Sequence, residues 1–200
     1  MKRLSKNFYS LPTVKLAKML LGKTLVRNCR GKELSGIITE TEAYKEKNDP
    51  GSHAFRKRTK RNEPMFGPPG RAYVYFCYGF HHMLNVTSEK EGEAGAVLIR
   101  AIEPLRGAKR MKRNRGIKNS LQISNGPGKL CEALEIGMKL NKADLIKGKA
   151  LYIAEAPKGM KKFRVSKGPR IGIKQGLDKM WRFWIKRDVL VRCFKLKAEN

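Results

Sequence analysis

The stretch Leu34-Ser35-Gly36-Ile37-Ile38-Thr39-Glu40-Thr41-Glu42-Ala43-Tyr44 decides how this chain is read. β-Branched and aromatic residues dominate it, so it reads as a strand. Regular period-two alternation then puts Ile38, Glu40, Glu42 and Tyr44 on one face. Residues 23–27 read as a preceding strand, joined through a turn at Arg30-Gly31-Lys32 to form a hairpin. Two carboxylates stand inside this otherwise apolar strand. Desolvating an unpaired acid costs several kcal/mol or raises its pKa. Either Glu40 and Glu42 lie at a sheet edge facing solvent, or at least one of them has a purpose.

Working outward, Thr13 caps a helix that runs to Leu21, with Ala17, Leu20 and Leu21 on its apolar side and Gly22 as its stop. Residues 45–71 form a polar, Pro- and Gly-bearing connection that contains His53-Ala54-Phe55-Arg56-Lys57-Arg58-Thr59-Lys60-Arg61-Asn62 and ends at Gly67-Pro68-Pro69-Gly70. A connection of this length in a small domain usually carries function. Strands over 72–78, 83–88 and 96–102, with a turn at Gly79, suggest a meander. Residues 104–111 read as a helix entering the basic stretch 106–118, a mobile phosphate-facing loop or simply a solvated surface. Asn125-Gly126-Pro127-Gly128-Lys129-Leu130-Cys131 opens another helix, whose free N–H groups could meet a phosphate. Short strands follow around 151–154, 170–173 and 181–185.

The composition narrows the function. The 200 residues carry 45 Lys+Arg against 17 Asp+Glu, a formal net charge of +28. Part of that excess can reflect a lysine-rich host, but the field calls for a polyanionic partner, and nucleic acid fits best. An anionic membrane surface would want a basic amphipathic helix or a lipidation signal, and the sequence has neither. The basic start Met1-Lys2-Arg3-Leu4-Ser5-Lys6 leads into no apolar core, and no stretch reaches membrane-spanning length. A soluble, intracellular protein of the cytoplasm and nucleoid, or of the nucleus, is expected. Cys29, Cys77, Cys131 and Cys193 form no Cys-x-x-Cys pair, which argues against zinc and iron–sulfur sites. Length and a 40% hydrophobic fraction point to one domain over 1–200.

Aromatics concentrate at Tyr73, Tyr75, Phe76, Tyr78 and Phe80, beside His81 and His82, in a chain with only 8% aromatic residues. Core packing accounts for Phe76, whereas the tyrosines offer stacking surfaces for bases. Tyr73 and Tyr75 share a face, and Tyr78 near the turn is placed to act as a wedge in a base stack. Asn85 and Arg100 fall in strands, where each needs a partner. His53 stands alone in its loop, and a lone loop histidine is more often merely polar than catalytic. Phosphate-loop, serine-hydrolase-elbow and His-Glu-x-x-His patterns do not occur.

Five stretches resemble the alkyladenine (3-methyladenine) DNA glycosylase family, in family order over nearly the whole chain. They are Leu21-Gly22-Lys23-Thr24-Leu25-Val26-Arg27, Ile38-Thr39-Glu40-Thr41-Glu42-Ala43-Tyr44, Met65-Phe66-Gly67-Pro68-Pro69-Gly70-Arg71-Ala72-Tyr73-Val74-Tyr75-Phe76-Cys77-Tyr78-Gly79, Leu98-Ile99-Arg100-Ala101-Ile102-Glu103-Pro104 and Asn125-Gly126-Pro127-Gly128-Lys129-Leu130-Cys131. The resemblance implies an α+β fold, a single mixed domain with a curved antiparallel β-sheet flanked by short helices. It also implies a monofunctional enzyme without cofactor or metal. Such an enzyme flips a damaged purine out of double-stranded DNA and hydrolyses its N-glycosidic bond in base excision repair. The substrate class is 3-methyladenine, 7-methylguanine, hypoxanthine and ethenoadenine, and a monomer is expected.

By position in the resemblance, Glu42 matches the general base, and Arg100 and the backbone carbonyl of Ile171 match groups that hold the water. Tyr44, His53 and Tyr75 match the walls that sandwich the flipped base. Asn85 and Leu98 match pocket residues that help exclude normal purines. Tyr78 matches the intercalating wedge, and Arg58, Thr59 and Arg61 match DNA-backbone contacts. Arg100 beside Glu42 would favour the carboxylate, and Glu40 becomes structural support. The sequence departs from the pattern at Lys57, where relatives commonly have glycine, and in the charged stretch Glu89-Lys90-Glu91-Gly92-Glu93. Charge and aromatics fit a non-catalytic nucleic-acid-binding protein equally well, but that alternative leaves Glu42 unexplained, because an acid facing a phosphate channel repels the ligand. A glycosidase acting on free nucleosides would need no such field.

Overall fold

Thr24–Cys29 (β1) and Lys32–Lys45 (β2) form the hairpin, paired antiparallel from Thr24↔Ile37 to Cys29↔Lys32. Arg30 and Gly31 between them have φ of 49° and 70°. These are the two left-handed residues of a type I′ connection, whose twist matches that of the strands it joins. The computed structural model describes residues 1–77 and 79–186. Tyr78 and Cys193 lie outside the described residues.

β2 organises the sheet. Its first half pairs with β1, its middle with the much later Arg182–Ile185 (β8), and its opposite edge with Gly95–Arg106 (β5) along most of its length. Ala72–Cys77 (β3), His81–Thr87 (β4) and β5 make the expected antiparallel meander. Leu151–Ala154 (β6) adds to β1, giving the order β3-β4-β5-β2-β1-β6, and Val165–Gly168 (β7) pairs with β8 off this path. The result is a curled antiparallel sheet with short helices, the expected α+β class.

The alternation expected along β2 does not survive intact. Register shifts between Ile38 and Glu40 leave Thr39 as an extra residue, a bulge that reverses which face the following side chains take. Ile38 joins the main apolar core together with Ala43, and the Thr41 hydroxyl donates to the Ala17 carbonyl at 2.8 Å on that side. Glu40, Glu42 and Tyr44 therefore share the other face without Ile38.

Helix Thr13–Leu20 (α2), which follows the one-turn Lys6–Tyr9 (α1), buries Leu16, Ala17 and Leu20 against β2 and β5. Thr13 is its first helical residue and not its cap. The Glu89 carboxylate takes that role, accepting from the Thr13 N–H at 2.9 Å and the Thr13 hydroxyl at 2.7 Å. A negative group there also meets the positive end of the helix dipole.

Two other sequence expectations change. The helix expected over 104–111 begins later, as Ala108–Asn114 (α3), because β5 runs on to Arg106 and turns at Gly107 with φ 78°. Pro104 is tolerated in the strand because it sits opposite Gly36 at a register irregularity. Within the basic stretch, Arg110 pairs with Glu135 at 2.6 Å and Arg115 with Glu132, so part of it is bound into the fold. Residues 170–173 form no strand, and Gly172 breaks them with φ 81°. Pro127–Ala133 (α4) forms as expected and packs on β4 and β5.

Two apolar clusters result. The larger lies between the sheet and α2 and α4 and includes Leu16, Leu25, Ile38, Leu84, Val97, Leu130 and Phe183. The smaller gathers Ala54, Met65, Phe66, Tyr73, Ala94 and Ala96 on the face that carries Tyr44 and Tyr75. The candidate site stands on this second cluster. Among the described residues no helix is long and apolar enough to cross a membrane.

Candidate active site

The β2 bulge aims Glu42 away from the main core, yet its side chain is 0% exposed. Three donors meet the carboxylate. The Tyr44 hydroxyl donates to Oε2 at 2.8 Å, Arg100 Nη1 to the same oxygen at 3.2 Å, and the Ile171 backbone N–H to Oε1 at 2.7 Å. Tyr44 reaches it because residues two apart on a strand share a face. Arg100 reaches it because β5 answers the irregularity in β2: Ile99 pairs with Thr41 and Ala101 with Glu40, so Arg100 has no residue opposite. Arg100 Nε also donates to Glu40 Oε1 at 3.0 Å. Arg182 donates to the same Glu40 oxygen at 3.2 Å and to the Pro169 carbonyl at 2.9 Å. Glu40 is thus a bridge between two arginines.

Burial pushes the Glu42 pKa up. The Arg100 charge, the Ile171 N–H and the Tyr44 hydroxyl pull it down without cancelling the burial, and the Glu40 charge pushes it further up. The expectation that Arg100 would favour the carboxylate gives the correct sign for that one interaction, but desolvation wins the balance. Burial and the adjacent Glu42 charge also raise the Tyr44 pKa well above the usual phenol range, so Tyr44 remains a hydrogen-bond donor.

Tyr44, Arg100 and Ile171 form part of the wall of a cavity of about 340 Å³, within the size range of small-ligand sites, and Glu42 is held directly behind them. His53, Tyr75, Asn85 and Leu98 line the same cavity, so the structure brings all of these sequence-predicted residues together. Tyr73, one of the tyrosines expected to offer a stacking surface, lines it too, and so do Met65, Cys77 and Met83, which the sequence had not set apart. Strand alternation places Tyr73 beside Tyr75, as the sequence led one to expect. Their rings lie 5.2 Å apart.

His53 stands at the cavity rim, with Nδ1 3.1 Å from the Tyr73 hydroxyl. Its ring meets Tyr75 edge-on, at 4.8 Å and 74°, so these two walls are perpendicular plates rather than parallel ones. Partial desolvation of the ring, and then the Arg61 charge, hold its pKa below the ordinary imidazole value. Buried Asn62 pins the loop by donating to the His53 and Lys57 carbonyls at 2.7 and 2.9 Å. The lysine at the departure position Lys57 is accommodated because its backbone carries that contact while its side chain is exposed. Asn85 lies opposite both Tyr73 and Leu98 and commits its amide N–H to the Tyr73 carbonyl at 3.2 Å.

Outside the cavity, Arg58, Thr59 and Arg61 are exposed on the connecting loop. Arg58 lies over the Phe66 ring and 3.7 Å from Glu63. Thr59 closes a turn with Asn62, and Arg61 donates to the Phe76 carbonyl at 3.1 Å beside the Tyr75 ring. Phe76, expected in the core, is 48% exposed. The wedge expected at Tyr78 falls outside the described residues. Ile171 reaches Glu42 through its amide N–H, a contact that the sequence reading, which named its carbonyl, did not anticipate. Among the described residues no group of three His, Cys, Asp or Glu side chains is placed to hold a metal ion.

A proton-accepting carboxylate of raised pKa, beside a cavity walled by aromatic rings in a strongly basic protein, can activate water next to a planar ring. The sequence profile of the methylpurine-DNA glycosylase family matches residues 7–189, and the chain belongs to that family. Three relatives carry the name "Putative 3-methyladenine DNA glycosylase". The protein from Carboxydothermus hydrogenoformans is 47% identical over 94% of this chain and 97% of its own. That from Chlorobium phaeobacteroides is 45% identical over 92% of each chain, and that from Clostridium perfringens strain SM101 is 42% identical over 94% of this chain and 98% of its own. The enzyme is a DNA glycosylase, and its partner is DNA.

Proposed function

We propose that residues 1–200 act as one glycosylase domain, and as a monomer, that turns a damaged purine out of double-stranded DNA and hydrolyses its N-glycosidic bond. This would open base excision repair wherever the cell keeps its DNA, in cytoplasm and nucleoid or in a nucleus. The observation that carries the reading is Glu42: fully buried, held by three donors and set behind the wall of an aromatic cavity.

In this mechanism the departing base leaves positive charge on the sugar. Glu42 removes a proton from the attacking water and its negative charge stabilises that developing cation. Arg100 and the Ile171 segment hold the carboxylate and the water. Tyr44, His53 and Tyr75 surround the extruded base, and electron-rich rings favour an alkylated, cationic purine such as 3-methyladenine or 7-methylguanine. Hypoxanthine and ethenoadenine are flat purines of the same class. Asn85 and Leu98 narrow the cavity against the exocyclic amine of a normal guanine. Tyr78 fills the gap in the base stack, while Arg58, Thr59 and Arg61 hold the DNA backbone. No cofactor or metal enters this chemistry.

The rival reading, a non-catalytic binder, gives no reason to bury a carboxylate under three donors at the back of a ligand cavity. The test is single-turnover release of 3-methyladenine or hypoxanthine from duplex DNA. Glu42→Gln is expected to keep duplex affinity and to lose release by orders of magnitude. Absence of release by the wild type from every alkylated or deaminated purine would overturn the reading.

A further inference from the structure

A second buried charge pair lies behind the cavity wall, and the chemistry above does not use it. Residues 169–173 belong to no strand, so side chains must fix their position. Arg170 and Asp49 are both 0% exposed. They meet fork to fork, Nη2 to Oδ1 at 2.5 Å and Nη1 to Oδ2 at 2.8 Å. Nη1 also donates to the Ala43 carbonyl at 3.0 Å, Nη2 to the Gly176 carbonyl at 3.3 Å, and the Lys45 N–H donates to Asp49 Oδ2 at 2.9 Å. The guanidinium lies over the Tyr44 ring at 4.7 Å and the Trp181 ring at 5.4 Å. The backbone closes around it so tightly that a Cβ on Gly51 or Gly176 would stand 3.0 or 2.9 Å from Nη2.

Stability is a weak reason for such a cage, since a buried ion pair is often replaceable by apolar residues at little cost. Geometry supplies a better one. Arg170 directly precedes Ile171, whose N–H binds Glu42 Oε1, and the same guanidinium packs on Tyr44, whose hydroxyl binds Oε2. One side chain locates two of the three donors to the carboxylate. At the start of the segment, Arg182 holds the Pro169 carbonyl.

We propose that Arg170, clamped by Asp49, is a positioning residue for Glu42: it fixes the Ile171 amide against one carboxylate oxygen and the Tyr44 hydroxyl against the other. The inference rests on the reading of Glu42 as the water-activating base. The groups facing that carboxylate are Tyr44 and Glu40 from β2, Arg100 from β5, Tyr75 from β3, Arg182 opposite it on β8, and the Ile171 N–H. Of these, the Ile171 N–H and Tyr44 are the two that touch or adjoin Arg170. Loosening the clamp weakens two donors that pull the Glu42 titration down, and the upward push of burial is then less opposed.

The test combines a carboxyl-carbon NMR titration of Glu42 in the free protein with single-turnover base release across pH. Wild type is compared with Asp49→Asn, Arg170→Lys and the double variant Arg170→Met/Asp49→Asn. Both single variants should raise the Glu42 midpoint by about one pH unit and slow release about a hundredfold at saturating enzyme, as misplacement on the scale of an ångström does. Their affinity for duplex should be unchanged. The double variant, with no lone buried charge, should regain melting temperature over the single variants and still show the raised midpoint and slow release. An unchanged midpoint, with release falling only as the folded fraction falls, would reduce the clamp to a structural role and overturn the proposal. So would full recovery of midpoint and rate in the double variant. A shifted midpoint in a protein whose wild type releases no base would instead defeat the proposed function and leave the positioning of the carboxylate standing.

Discussion

Glu42 combines two demands that oppose each other. Burial raises its pKa, and a general base is most effective when its pKa approaches the working pH, so the upward shift favours the proton abstraction proposed for Glu42. Base release should therefore lose its acid side at a pH above the ordinary glutamate value of about 4.3, and single-turnover rates across pH measure this. The same shift has a cost in stability. With the folded pKa above the unfolded one, the folded state binds the proton more tightly in the window between the two values. Stability owed to Glu42 is fully present below the unfolded value and is lost as pH rises through the folded one. Relative to Glu42→Gln, the wild type should lose melting temperature across that window, and parallel melting curves of the two proteins against pH would refute it. Glu42 and Arg100 were legible mainly through the family resemblance, because an acid or arginine in a strand can equally face solvent at a sheet edge or find an ordinary partner. Arg170 and Asp49 were not, because their pairing spans 121 positions in the chain and neither sits in a recognisable pattern.

At the scale of elements, alternation located β2 but gave Ile38 the wrong face, because nothing in Ile38-Thr39-Glu40 announces a bulge. The hairpin turn was readable from Arg30-Gly31, where left-handed backbone favours glycine at one of the two positions. The helix start was misread for a tertiary reason. Thr13 reads as a cap in the sequence, but the oxygen that satisfies the first N–H comes from Glu89, in a stretch whose sequence shows only charge. Glu89→Ala should remove that cap and cost about 1 kcal/mol of stability, read from urea unfolding, while the pH profile of base release keeps its midpoint. A stability loss within error of zero would show that water replaces the carboxylate without penalty. The strand expected over 170–173 failed for the opposite reason: its apolar residues face the cavity, and hydrogen bonds from Arg170 and Ile171 substitute for a ladder.

For the whole molecule, the +28 charge was the most legible feature and the least specific one. The structure divides it. Arg100, Arg110 and Arg170 spend their charge on internal carboxylates, whereas Arg58 and Arg61 stand exposed on the loop beside the cavity. Duplex affinity should fall steeply with salt, since each neutralised phosphate releases counterions and contributes about 0.9 to the slope of log affinity against log salt. Arg58→Ala and Arg61→Ala should each lower that slope by roughly one contact, whereas Glu42→Gln should leave it unchanged. Equal slopes in all four proteins would place the DNA track elsewhere on the surface.

The pairing of β2 with β8 carries a consequence for the order of assembly. Glu42 and Tyr44 emerge from the ribosome early, but Ile171, which holds the carboxylate, and Arg182, which ties down its segment, come from the last part of the described chain. Contacts this distant in sequence form late, after their long loops have closed. A growing chain can therefore complete the β1–β2 hairpin and the β3–β5 meander while Glu42, the proposed water-activating group, still lacks its amide donor. The carboxylate of Glu42 therefore gains its full set of donors only after residues 170–186 have been made and have docked, well after the hairpin that carries it has formed.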